Sequence, residues 1–449
     1  MTKSMLMLSE DPYVERACAD LGVELTVVYG ASRRDWEAMV ELPGQRHVFV
    51  NDSTSVESVL LGLYRAGLDP AAFDAVYTTY EGGVVTAAAL GRAFGLRSMS
   101  PEVTARFRDK SLAKAALARE GVDVARFEVI EDLHENPDDR TLPFEPAVLK
   151  PVAGGATEHT TLIRSAADLQ AAARRAREDR GLRTFILEEF IPGQERHVDG
   201  VMFGGQLLFM SIGGYRKTCL TTISDGEWMT HFTFDPVADA DVYARVTPLA
   251  ERALGILGLQ DGVFHMEVFD DEESGRLVFS ECAARRGGSF LEEQIIAKFG
   301  VSLAEAAVQC ALGIRPEVKP APQPGVFGYV FLPYTPGILF STPSAEELAE
   351  RPGVEYAMVE YPVGFAMYPM NSTLDKVGQV LLFAESREEL FQRADEVVTW
   401  FGERTVIVPP KASARELRQW YARHVPDGKR ATSAWRREPT RPASPVGTH

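Results

Sequence analysis

Over the first hundred residues short apolar runs alternate with helix-patterned stretches, the order expected of an open parallel α/β layer. Met5 to Leu8 and Val23 to Tyr29 read as strands flanking a helix that ends at Gly22. A further strand, His47 to Val50, leads into Val56, Val59, Leu60 and Leu63. Their helical spacing puts one apolar face on a helix that Gly67 stops. Ala75 to Thr78 follows as a strand, then Glu81, Gly82 and Gly83, then a helix through Leu90 and Phe94 that closes at Gly95. No GxGxxG follows the first strand, so the unit reads as a substrate-side domain, not a dinucleotide-binding one. Glu81, at a strand's carboxyl end, is either a ligand contact or a solvated loop carboxylate.

Past Ser100-Pro101 the pattern changes. Asp109 is placed to cap a helix from Lys110 to Glu120, and antiparallel hairpins with intervening helices follow Gly121. Arg315 to Pro324, with four prolines, reads as a second linker. Beyond it come Val326 to Leu332, Val354 to Val359, Phe365 to Tyr368, Val377 to Phe383, a helix near Arg387 to Phe401, and Thr405 to Val408, together a small α+β unit. The tail after Asp427, with Lys429, Arg430, Arg436 and Arg437 among spaced prolines, is expected to be disordered. The expected domains are therefore 1–100, 101–315, 316–425 and a tail, 426–449.

A chain of 449 residues accommodates several such units, and 45% hydrophobic with 25% charged residues is ordinary globular composition. Lys+Arg number 47 against 64 Asp+Glu, a formal net charge of −17, which repels polyanions and argues against nucleic acid as a partner. The longest apolar runs, such as Ala87 to Leu90, are far short of a membrane span, and no membrane partner is expected. Cys18, Cys219, Cys282 and Cys310 form no CxxC pair, so reduced core cysteines and a cytoplasmic location are expected.

The chemistry concentrates in Gly262-Val-Phe-His-Met-Glu-Val-Phe269, a turn from Asp270 to Gly275, and Arg276-Leu-Val-Phe-Ser-Glu281. Both flanks read as strands of one hairpin. Alternation puts Val263, His265 and Glu267 on one face, and Leu277, Phe279 and Glu281 on one face of the partner, so the two glutamates lie nearly opposite. Facing carboxylates destabilise a strand pair unless a cation lies between them, and hard oxygen ligands suit Mg²⁺ or Mn²⁺. Two exposed glutamates on a wet sheet face are the alternative. Arg285, Arg286, Gly287 and Gly288 follow directly, offering charge and backbone N–H groups to a phosphate or an oxyanion. Upstream, Lys150 ends the apolar strand Pro146-Ala-Val-Leu-Lys150, and Gly154-Gly155-Ala156-Thr157 can fold amides over phosphates. Phe185 to Phe190 is a strand running into a Pro-Gly turn, an edge able to meet a nucleobase, with Glu195 free for ribose hydroxyls.

In series, these motifs resemble the ATP-grasp ligases, within them the L-amino acid ligase and carnosine-synthase-like branch, over roughly residues 100 to 310. The resemblance implies an ATP-grasp fold, mixed α/β and α+β: an N-terminal Rossmann-like domain, an ATP-grasp domain of two subdomains with nucleotide between them, and a small C-terminal α+β domain. It further implies that Lys110 and Lys150 bind ATP phosphates under a lid from Gly154 to Thr157. Glu188, Glu189 and Phe190 would bind adenine chiefly through backbone groups, and Glu195 the ribose. Glu267 and Glu281 would ligate Mg²⁺, and Arg285 would stabilise an acyl phosphate, with Gly287 and Gly288 beside it. His265 faces either the substrate or the protein interior. A mobile segment from Ser211 to Gly226 would bring Lys217 or Arg216 to the phosphoryl group. Ala283 departs from the family, where an Asn two residues after the second metal-binding Glu is common. The implied activity is ATP-dependent joining of a small-molecule carboxylate and an amine, amino acids among them, through an acyl phosphate. The alternatives are a ligase using a non-amino-acid carboxylate and a nucleotide-binding module without turnover. Oligomeric state stays open, a homodimer included.

Overall fold

The computed structural model describes residues 2–30, 42–135, 142–155, 157–178, 183–368, 372, 375–408 and 432–435. The N-terminal layer is a four-stranded parallel sheet in the order Gln45–Phe49, Glu24–Tyr29, Ser4–Leu8, Ala75–Tyr77. Helices Pro12–Asp20 and Val56–Arg65 connect its strands, and helix Val84–Phe94 follows the last of them. Each starts or stops where the chemistry dictates. Asp11 accepts hydrogen bonds from the Tyr13 and Val14 amides ahead of Pro12, and Gly95 ends the third helix in a left-handed conformation (φ 71°).

Two further sheets frame a cleft. One has four antiparallel strands in the order Phe127–Ile130, Phe185–Glu189, Ala147–Pro151, Thr161–Ile163, with helix Ala166–Glu178 packed on it through Leu169, Ala172, Ala173 and Ala176. The other runs through nine strands: Leu277–Ala283, Gly262–Asp271, Gly193–Phe203, Gln206–Tyr215, Thr230–Thr233, Val326–Leu332, Gly378–Ala384, Val354–Val359 and Thr432–Trp435. Its main core, including Ile212, Phe264, Met266, Val330, Val380 and Phe401, is contiguous from the hairpin of the two glutamates to the C-terminal strands. The sheet therefore continues across the proline-rich stretch. Phe232 is the register partner of Gly328 across it, and a side chain at Gly328 would collide with the His231 carbonyl.

The expectation of a wholly disordered tail is corrected at one place: Thr432–Trp435 pairs antiparallel with Val354–Val359, whose edge it covers. The rest of the tail lies outside the described residues. All four cysteines are buried thiols, and among the described residues no helix is long and apolar enough to cross a membrane.

Candidate active site

A cavity of about 520 Å³ opens between the two sheets and the N-terminal layer. Asp109 accepts from the Ser111 and Leu112 amides and so starts the helix Lys110–Arg119 with its first side chain at the cavity. Lys110 Nζ lies 3.1 Å from Glu281 and donates to the Gly154 carbonyl (2.9 Å). Lys150 Nζ is 3.1 Å from Glu188 and 3.9 Å from Glu281, and these two carboxylates outweigh burial to hold its ammonium above the ordinary range. Sequence reading missed Lys114. Fully buried, it sits 3.4 Å from Glu188 and donates to the Phe279 carbonyl (3.3 Å); burial pushes it down to about 8 against the pull of Glu188. The available signal was its spacing: one turn after Lys110, on the same helix face.

Glu267 and Glu281 are direct register partners, and Glu267 faces His197 on its other side. Plain alternation did not foresee how: the register shifts after Glu267, so Val268 pairs with Phe279 and Ser280 is the extra residue of a bulge. Glu281 is buried enough to raise its carboxyl, yet Lys110 and Lys150 overcome this and hold it low. Among the described residues, no such cation pairs with Glu195. Burial and the nearby Glu267 push it up, and it accepts from the Cys219 amide (2.7 Å) at the start of helix Cys219–Asp225. One of the oxygens expected to meet ribose is therefore already bonded.

Behind this wall lies a polar row that no motif announced. Asp199, fully buried, bonds His197 Nδ1 (2.5 Å) and His265 Nδ1 (2.9 Å), and His265 Nε2 points to Glu267 (3.6 Å). Burial opposes charge on His265, but Asp199 and Glu267 raise it to about 10. His231 closes the row against His197 and stacks on Tyr329 (4.5 Å between centroids, 10° between planes). His265 lines the cavity while Asp199 does not.

Arg285 lines the cavity and bonds Glu81 through Nε (2.7 Å), so Glu81 is a site residue held by an arginine, not a solvated loop carboxylate. Arg286 instead turns to Asp11 (2.7 Å) and lies over the Tyr13 ring, joining the loop to the N-terminal layer. Gly288 lines the cavity; Gly287 packs beneath, against Leu291, Asp199 and His265. Glu188, Glu189 and Phe190 also line it, but the Glu189 and Phe190 amides already donate to the Arg126 and Pro146 carbonyls, and the Glu189 carboxylate pairs with Arg126. Gly154, Gly155 and Thr157 form part of the rim, with Thr157 at φ 56°; Ala156 lies outside the described residues. Lys217 is not brought to the site. Half-exposed, it pairs with Asp225 (3.2 Å) and Glu227 (2.6 Å), two acids that follow it closely in the chain, and Arg216 pairs with Asp395. Thr218, Cys219 and Leu220 of that segment line the cavity instead.

Residues 143–293 match the ATP-grasp domain family, and the chain has the ATP-grasp fold. Among individual relatives, the chain is 25% identical over 348 residues to the L-arginine-specific L-amino acid ligase of Bacillus subtilis, covering 77% of this chain and 83% of that protein. It is 33% identical over 149 residues to carnosine synthase 1 of Gallus gallus, a stretch that is 33% of this chain and only 15% of that protein. The crystal structure of an L-amino acid ligase from Bacillus licheniformis superposes with a TM-score of 0.74 at 20% identity, covering 91% of this chain and 99% of that one.

Proposed function

We propose that the chain is an ATP-dependent carboxylate–amine ligase forming a dipeptide or related amide. The observation that carries the reading is the convergence, in one cavity, of the facing Glu267 and Glu281, the cations Lys110, Lys150 and Arg285, and a glycine rim. Relatives that are amino acid ligases support the same direction.

The donor set fits a divalent cation. Two carboxylates on adjacent strands present hard oxygens to one cavity, and a hydrogen-bonded lysine already stands where positive charge is required. Glu267 and Glu281 would hold Mg²⁺ or Mn²⁺, which would supply charge to offset phosphate repulsion; Ala283 adds no ligand. Lys110 and Lys150 would orient the phosphates of ATP by charge-assisted hydrogen bonds, with Glu188 keeping Lys150 in place. An oxygen of the substrate carboxylate attacks the γ-phosphorus, the bond to the ADP oxygen breaks, and ADP and an acyl phosphate result. The amine nitrogen then attacks the acyl carbon, the carbon–oxygen bond breaks, phosphate leaves, and the nitrogen loses a proton. Arg285 would stabilise the charge on the acyl phosphate and the tetrahedral species. Water must be kept from the acyl phosphate, and the glycine rim together with the 218–220 segment would close that route.

Ala283 favours a second reading, a nucleotide-binding module without turnover. ADP release by the full chain with ATP, Mg²⁺ and mixed amino acids separates the two: amino-acid-dependent release with a product of matching mass carries the ligase, and none at all leaves the module.

A further inference from the structure

Two groups of apolar residues line the cavity among its charged ones. Val148, Phe190 and Phe279 stand beside Lys114, Lys150 and Glu188, where the nucleobase is proposed to lie. The second region is built from Tyr215, Cys219, Met229, Leu291, Tyr329 and Phe331, which line the cavity and belong to one buried cluster of their own. It borders the reacting centre: a side chain at Gly287 would strike Leu291 and stand 2.9 Å from His265 Nδ1. Its wall is stiff, with Tyr329 stacked between His231 and Phe331 (4.5 and 5.8 Å between centroids).

Resting on the ligase reading, we propose that this second compartment takes the side chain of one of the two substrates, and that this side chain is large, apolar and uncharged. None of the six residues carries a charge. The carboxylates lining the cavity have partners: Glu81 with Arg285, Glu188 with Lys150 and Lys114, Glu281 with Lys110, Glu189 with Arg126, Glu158 near His159, Glu195 with the Cys219 amide, and Glu267 facing His265. A charged side chain entering the compartment would lose its water without gaining an ion pair from any of the six residues that line it. An aromatic or long aliphatic side chain meets aromatic rings, a thioether, a thiol and a leucine, contacts that discriminate by size and polarity. The substrate class so derived differs from the arginine in the name of the Bacillus subtilis relative.

The test is a panel of single and paired amino acids with the full chain, ATP and Mg²⁺, read as ADP release and product mass. Phenylalanine, leucine or methionine is expected in the favoured pairs, with kcat/KM at least about tenfold above arginine, lysine, aspartate or glycine at the same position. Met229→Trp fills the compartment and should lower the phenylalanine-to-alanine ratio by about tenfold or more; Met229→Ala, which needs no new space, should raise it. Met229→Glu should move the preference toward lysine and arginine. ADP release that favours arginine or aspartate overturns the apolar compartment and leaves the ligase standing. Unchanged ratios in folded Met229 variants overturn it equally. No release with any amino acid removes the ligase reading and this inference with it.

Discussion

Glu267 and Glu281 face each other directly across a hairpin, yet each is matched to a different cation: Glu281 lies 3.1 Å from Lys110, and Glu267 lies 3.6 Å from His265. Two carboxylates in this position would destabilise the strand pair if both were unpartnered, so the lysine and the histidine make the pair tolerable before any nucleotide arrives. Replacing either by glutamine keeps the shape and removes a hard anionic ligand. Glu281→Gln and Glu267→Gln are each expected to reduce amino-acid-dependent ADP release by about a hundredfold or more while leaving the circular dichroism spectrum intact. Wild-type turnover in either purified variant would remove the metal assignment.

Lys150 holds Glu188 on one side and approaches Glu281 on the other. Lys150→Ala removes the cation proposed to bind phosphate and leaves Glu188 with Lys114. Calorimetric ATP affinity should fall about tenfold or more, since a charge-assisted contact contributes roughly 1.5–3 kcal/mol. An unchanged dissociation constant would end the phosphate role of this lysine.

What could be read in the chain and what could not divides along sequence distance. The capped helix at Lys110, the Glu267 and Glu281 hairpin and Arg285 after it are local patterns, and each is found at the cavity. The row through His197, Asp199, His231 and His265 comes from three strands whose pairing no local pattern specifies, so His265 was read singly and the other three stayed invisible. Lys217 failed for the converse reason. A basic residue in a polar loop suggested a mobile contact, but Asp225 and Glu227 nearby in the chain are stronger claimants. The continuous nine-stranded sheet hid behind the proline-rich stretch, because prolines report on local backbone and not on whether strands on either side pair.

Asp199 is the hinge of that hidden row. It serves two imidazoles from a fully buried position, and their interactions with it overcome burial to keep its carboxyl well below the usual range. Asp199→Asn should destabilise the fold by about 3 kcal/mol, because it leaves a buried histidine without its anionic partner. It should also lower turnover more than ATP affinity, since His265 loses its orientation. A melting temperature equal to wild type would show that the row contributes nothing to stability.

Glu293 offers a test on pH. Its carboxyl lies at the contact between helix Leu291–Phe299 and the N-terminal layer, accepts a hydrogen bond from the Tyr13 hydroxyl, and has a second oxygen buried without a partner. Burial is the largest influence and pushes it up to about 7. In the unfolded chain a glutamate releases its proton near 4.3, so between that value and 7 the folded protein binds more protons than the unfolded one. Stability from this group is therefore present at low pH and is lost as pH rises through the window, by at most about 4 kcal/mol. Glu293→Gln keeps an acceptor for Tyr13 and cannot ionise. Relative to wild type, the variant should gain stability between pH 5 and pH 8, read as the difference in denaturation midpoints. A difference that stays constant across that range would mean that the folded protein does not hold the Glu293 proton.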